Sequence, residues 1–170
     1  MKLLGILIEQ EVMGLDITTK KFASTKDYLN QISRLNRTID NKIIELAQLK
    51  ELAYGISSTQ GGEITQSSPN YDKTLETCAK IEEMERRIDG IVDYYIDVKN
   101  QIVSQIEHID DDRYYEVLFL RHIKQNNRKR QYSFEEISIE INSSYRNTTR
   151  LYNKAIQAFE KKYGKEYLKN

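Results

Sequence analysis

One proline and seven glycines in 170 residues are too few turn-formers for a sandwich, barrel or propeller, each of which needs frequent tight turns. The single cysteine, Cys78, cannot close an internal disulfide, which suits a reducing cytoplasm. With His108 and His122 as the only histidines, a Cys/His zinc site is short of ligands. No long apolar run is present. The stretch Leu3–Ile8 is too short to span a bilayer, and Glu9, Gln10 and Glu11 follow where an export signal would need small residues. A Gly-rich phosphate loop, a paired metal-ligand motif and a nucleophile elbow are also lacking, so the chain does not read as an enzyme and no cofactor is implied.

What is present is 39% hydrophobic and 31% charged residues, the balance of a water-soluble protein rich in helix. The formal charge is zero, but it is unevenly spread. Residues 113–170 hold thirteen Lys/Arg against six Asp/Glu, about +7, which leaves about −7 on residues 1–112. A basic C-terminal module thus follows an acidic one, and the sign of each part matters more than the sum.

The expected fold is all-α, a long antiparallel helical hairpin followed by a helix-turn-helix. After an N-terminal extension (1–23), Ser24 or Thr25 caps a helix with apolar residues at Tyr28, Ile32, Leu35, Ile39, Ile43, Leu46, Leu49 and Ala53. Residues 55–71 read as a polar loop. A second stripe runs through Leu75, Cys78, Ile81, Met84, Ile88, Ile91, Tyr95, Val98, Ile102, Ile106 and Ile109. On this stripe Cys78 reads as a small buried apolar residue, and Gly90 as a point of close helix approach. The two helices (24–109) cover one another in coiled-coil fashion, and the apolar strip left over points to a homodimer through the hairpin.

In residues 110–170, Asp110, Asp111 and Asp112 sit where carboxylates cap a helix and lack the further oxygen ligands of a metal loop. The segment Tyr114–Ile123 reads as a core helix. His108 reads as a surface residue, and His122 as helix-packing or phosphate-adjacent. The connector from Lys124 to Gln131 holds four cations, Lys124, Arg128, Lys129 and Arg130, placed to meet phosphates. Ser133 and Glu136 have capping-box spacing for a short helix that turns Ile137 and Ile141 inward. After Asn142, Ser143 or Ser144 caps a last helix with Thr148, Leu151, Ala155, Ile156 and Phe159 inward and a stop at Gly164. Its other face offers Tyr145, Arg146, Asn147, Thr149, Arg150, Asn153 and Lys154 to phosphates or base edges.

Val117-Leu118-Phe119-Leu120-Arg121-His122-Ile123, Phe134-Glu135-Glu136-Ile137, Ser144, Arg150, Leu151 and Ala155-Ile156 resemble region 4 of the sigma-70 family. Upstream, Tyr28–Ile32 and Gln66–Pro69 extend the likeness over residues 25–160, to sigma-factor-like small proteins encoded by phages and prophages of Gram-positive bacteria. That family has Trp and a β-branched apolar residue where Asn147 and Thr148 stand. The resemblance implies a cytoplasmic DNA-binding transcription regulator of phage or prophage genes that reads double-stranded DNA and contacts RNA polymerase. Without a recognisable sigma region 2, an accessory regulator is expected in place of a complete sigma factor. The competing reading is a helical interaction or assembly protein that binds no DNA.

Overall fold

The computed structural model describes residues 21–58, 69–126 and 130–169 and is predominantly helical. The helices are α1 (Thr25–Leu29), α2 (Gln31–Ser58), α3 (Pro69–Glu107), α4 (Asp112–Leu118), a π-helical turn (Phe119–Ile123), α5 (Phe134–Glu140) and α6 (Tyr145–Tyr167). No described helix is long and apolar enough to cross a membrane. Among the described residues there are two isolated β-bridges, Phe22 with Leu168 and Gln125 with Gln131.

The chain divides into two compact units, and the division falls inside the long helices: one unit takes residues up to Arg34 together with Asp97–Asn170, the other Leu35–Ile96. The first and last turns of the long-helix region thus belong with the C-terminal helices.

In the unit of Leu35–Ile96, Lys50 Nζ lies 2.7 Å from Glu85 Oε1 and joins α2 to α3. Ile88 and Ile91 are buried, while Leu35, Ile39, Leu46, Leu49, Ile81 and Met84 are half-buried. Burial is shallow because two helices give each apolar stripe only one neighbour. Three expectations are corrected on these helices. Cys78 is exposed, as is Leu75, so the α3 stripe is not covered there. Gly90 is exposed and marks no close approach. The loop expected over 55–71 is shorter, since α2 runs through Ser58 and α3 starts at Pro69, a first-turn site where the missing N–H costs nothing. Of that loop, residues 59–68 lie outside the described residues.

The other unit has a deeper core. Leu29, Ile102, Ile106, Val117, Leu118, Ile137, Ala155 and Phe159 are fully buried, and α1, α4 and α5 all pack against α6. Ser24 starts α1, its Oγ accepting from Asp27 N at 3.2 Å. The expected unbroken first helix is interrupted at Asn30, and Arg34 Nη2 donates back to the Asp27 carbonyl at 2.5 Å across the break. Asp111 caps α4 by accepting from Arg113 N at 3.0 Å, so the aspartate run serves as the cap its position predicts. The Arg113 guanidinium also bonds Asp111, and this holds the Asp111 carboxyl below its usual range.

The helix expected to run evenly to Ile123 changes register at Phe119, where Lys124 N reaches the Phe119 carbonyl at 2.9 Å. The wider turn buries Leu120, His122 and Ile123 together. Ser133 and Glu136 close the capping box of α5: Ser133 Oγ accepts from Glu136 N at 3.2 Å and Glu136 Oε2 accepts from Ser133 N at 2.7 Å. Ile137 is buried, but Ile141 is only half-buried. Asn142 turns the chain with φ of 47°, a left-handed conformation that asparagine tolerates better than most residues.

Helix α6 does not stop at Gly164. It continues to Tyr167, with Gly164 buried inside it. A Cβ there would meet Glu160 Cγ and Leu168 Cδ1, both at 3.2 Å, so glycine serves close packing and does not terminate the helix. The extra turn is held from outside. Phe22 N donates to the Tyr167 carbonyl at 2.8 Å and Lys169 N to the Phe22 carbonyl at 3.1 Å.

Candidate nucleic-acid interface

The position of α6 follows from what grips its inner side. Thr148, Tyr152, Ala155, Ile156 and Phe159 recur at steps of one, three and four and are buried, which fixes the helix's rotation about its axis. Tyr152, absent from the expected inward set, is part of this grip. Its hydroxyl lies 3.1 Å from His122 Nε2, and its ring meets Phe134 edge-on at 5.0 Å. Burial, with Arg121 adjacent, lowers His122 to about 3, and burial raises Tyr152 to about 12. His122 therefore packs helices as a neutral imidazole.

At the other end of α6, Tyr28 stacks on Tyr167 with ring centroids 4.0 Å apart, and Phe159 closes the cluster. Thr25 Oγ1 donates to Glu160 Oε2 and accepts from the Tyr167 hydroxyl at 3.1 Å. Gln105 accepts from the Tyr28 hydroxyl at 2.8 Å and donates to Glu166 Oε2 at 3.0 Å. Both carboxylates of α6 are thereby committed to bonds inside the unit. A sequence pattern could not single out these partners, because Thr25 and Gln105 lie far from Glu160 and Glu166 along the chain.

The outward face is left to cations and amides. Tyr145, Arg146, Thr149, Arg150, Asn153 and Lys154 line one shallow depression together with Gln157, a residue outside the expected set. Gln157 was legible as the next outward position after Asn153 and Lys154 on a helix that runs past Phe159. Arg146, Arg150 and Lys154 are exposed and form no ion pair among the described residues. Residues 145–159 hold these three cations and no carboxylate.

Asn147 is exposed but does not line the depression. Ser144 Oγ accepts from Asn147 N at 3.2 Å and caps the helix. The Asn147 amide donates to Ser143 Oγ at 2.8 Å and accepts from Arg150 Nη2 at 2.8 Å. Thr149 Oγ1 donates to the Tyr145 carbonyl at 3.0 Å.

The described ends of the connector before α5 are bonded to each other and to that helix. Asn126 N donates to the Arg130 carbonyl at 2.9 Å, and its side chain reaches Glu136 Oε1, also at 2.9 Å. Of the four expected phosphate contacts, Arg130 pairs with Glu136 at 3.0 Å and Lys124 lies 3.7 Å from Glu140. Arg128 and Lys129 lie outside the described residues. Arg121 is drawn inward, donating to the Tyr132 carbonyl and stacking over Phe134 at 5.0 Å. The described residues thus offer unpaired cations at Arg146, Arg150 and Lys154 on the outward face of α6 and glutamate-paired ones beside α5.

No protein-family model matches the chain, and neither a curated protein nor a solved structure matches it.

Proposed function

We propose that this protein is a DNA-binding transcription regulator in which α5, the turn through Asn142 and α6 act as a helix-turn-helix, with α6 laid in the major groove of duplex DNA. The observation that carries this reading is the outward face of α6. Arg146, Arg150 and Lys154 share one depression and have no carboxylate paired to them among the described residues. Unpaired guanidinium and ammonium groups suit phosphate and base-edge contacts, since no internal ion pair must be broken before DNA is met. Lys124 and Arg130 add phosphate contacts at the flank after exchanging glutamate for phosphate, and Arg128 and Lys129 are assigned there by their place in the connector.

The setting assigned by resemblance is control of phage or prophage genes in the cytoplasm, with RNA polymerase as a further partner. The unit of Leu35–Ile96 is read as an antiparallel hairpin that joins two copies into a homodimer. Support comes from Ile43, Ile44, Leu52 and Leu75, which are all at least half exposed. The same exposed side chains favour a second reading, a helical assembly protein that binds no DNA.

Fluorescence anisotropy with a labelled duplex across a salt series separates the two. The first reading expects log affinity to fall linearly with log salt. Replacing Arg146, Arg150 and Lys154 together by alanine then lowers the slope by about 0.9 for each phosphate contact removed. Equal binding by the wild type and the triple variant rejects this face as the reader.

A further inference from the structure

The polar side chains on the outward face of α6 differ in how much of their hydrogen-bonding capacity the protein itself uses. Asn147 spends its amide on Ser143 and Arg150, and Thr149 spends its hydroxyl on the Tyr145 carbonyl. Asn153 is exposed, lines the depression, and has no hydrogen-bond partner among the described residues. Arg150 is held at one nitrogen by Asn147 Oδ1, at 2.8 Å, and its remaining donors are uncommitted among the described residues. Arg150 and Asn153 stand three residues apart on one helix face, the spacing of surface neighbours about 5–6 Å apart at Cβ.

From this division of labour we infer that Arg150 and Asn153 are the base-reading pair, that they select duplex DNA holding a guanine beside an adenine, and that Asn147 is the positioning residue for Arg150. The inference rests on the DNA-reading role of α6. Guanine offers O6 and N7 as two acceptors side by side, the match for a guanidinium fork. Adenine offers N6 as donor and N7 as acceptor, the match for a free carboxamide. Asn147 has no such freedom, because turning its amide to a base breaks the bonds that orient Arg150. It acts through Arg150 by restricting the guanidinium to one of its rotamers before DNA arrives, so less freedom is lost on binding.

The test is selection from a pool of duplexes with a randomised central window, by the wild type and by the Asn153→Ala, Arg150→Lys and Asn147→Ala variants. Thermal unfolding of each checks that the fold is kept. The wild type is expected to enrich adjacent guanine and adenine, each preferred about tenfold over the other bases. Asn153→Ala loses the adenine preference and keeps the guanine. Arg150→Lys loses the guanine preference, since an ammonium cannot span two acceptors in the same plane. Asn147→Ala weakens the guanine preference at unchanged unfolding temperature, a shift in selectivity that a purely structural residue would not produce. A wild type that binds the pool with steep salt dependence but enriches no such pair overturns this inference and leaves the DNA-binding role standing. So does an Asn153→Ala variant with an unchanged motif. A wild type that binds no duplex at any salt overturns both.

Discussion

His122 Nε2 and the Tyr152 hydroxyl meet at 3.1 Å in the interior of the C-terminal unit, while His122 Nδ1 is buried without a partner among the described residues. The pair joins the π-helical turn to the inner side of α6. An imidazolium would be isolated there from water and set near Arg121, and its ionisation falls to about 3 from the usual 6.5. The unfolded chain therefore binds a proton at mildly acid pH that the folded chain refuses. The stabilising contribution is complete above about 6.5 and is lost as pH falls, at about 1.4 kcal/mol per unit. Between pH 6.5 and 5 the expected loss is about 2 kcal/mol, read from urea unfolding at each pH. His122→Gln should flatten that interval, and an unchanged pH dependence in the variant would assign the acid sensitivity elsewhere.

Truncating Tyr167 tests the outer anchor of α6. Its ring stacks on Tyr28 and its hydroxyl donates to Thr25. Tyr167→Ala should cost about 3–5 kcal/mol, as for other large aromatic side chains removed from a core, whereas Tyr167→Phe should cost only about 1 kcal/mol for the lost hydrogen bond. Equilibrium unfolding of the two variants gives the comparison, and equal losses would deny the stack its part.

Ser133 and Ser144 begin the two helices on either side of the turn, and each accepts from the backbone N–H three residues on. Ser133→Ala and Ser144→Ala should each cost about 1 kcal/mol by chemical denaturation. Ser144→Asp should keep most of the stability that Ser144→Ala loses, because aspartate caps equally well and favours a helix N-terminus.

The paired and unpaired cations should separate in DNA binding. Lys124 and Arg130 already have glutamate partners, whereas Arg146 and Lys154 have none among the described residues. Lys124→Ala should therefore change the salt slope by less than Lys154→Ala, whose expected effect is about 0.9. Equal slopes for the two variants would show that the Glu140 pairing is given up without consequence.

Association through the unit of Leu35–Ile96 is tested by sedimentation. Ile44 and Leu52 are both more than half exposed on α2. Ile44→Glu and Leu52→Glu place charge on a surface that a second copy would cover, and each should convert a two-chain species to one chain at the same concentration. A mass unaffected by either change would remove α2 from the contact.

Local signals were the most legible part of the sequence. The Ser133–Glu136 capping box, the Asp111 cap and the inward spacing of Thr148, Ala155 and Phe159 each depend on residues within a turn or two, and all three hold. The outward face of α6 was readable for the same reason, since it is the complement of that spacing. What escaped depends on contacts distant in sequence. Gly164 reads as a stop until Phe22 and Tyr28 are seen holding the turn beyond it. Cys78 sits on a good apolar stripe, but a stripe does not say how many neighbours a helix has, and there it has too few to bury the thiol. Asn30 breaks the first helix although nothing in its neighbourhood forbids continuation. The occupation of Asn147 by Ser143 and Arg150 needs side-chain geometry that periodicity alone does not carry.

The pairing of Phe22 with Tyr167 and Lys169 ties the two extremities of the described chain together, and it governs how the protein can be dissected. A fragment cut at Asp110 would shed Thr25, Tyr28, Leu29 and Gln105, baring Phe159 and Tyr167 and leaving Glu160 and Glu166 without the groups that hold them. Such a piece would be a poorer stand-in for the parent than its tidy boundary suggests. During synthesis Phe22 must also wait until Lys169 has emerged before this clasp can close.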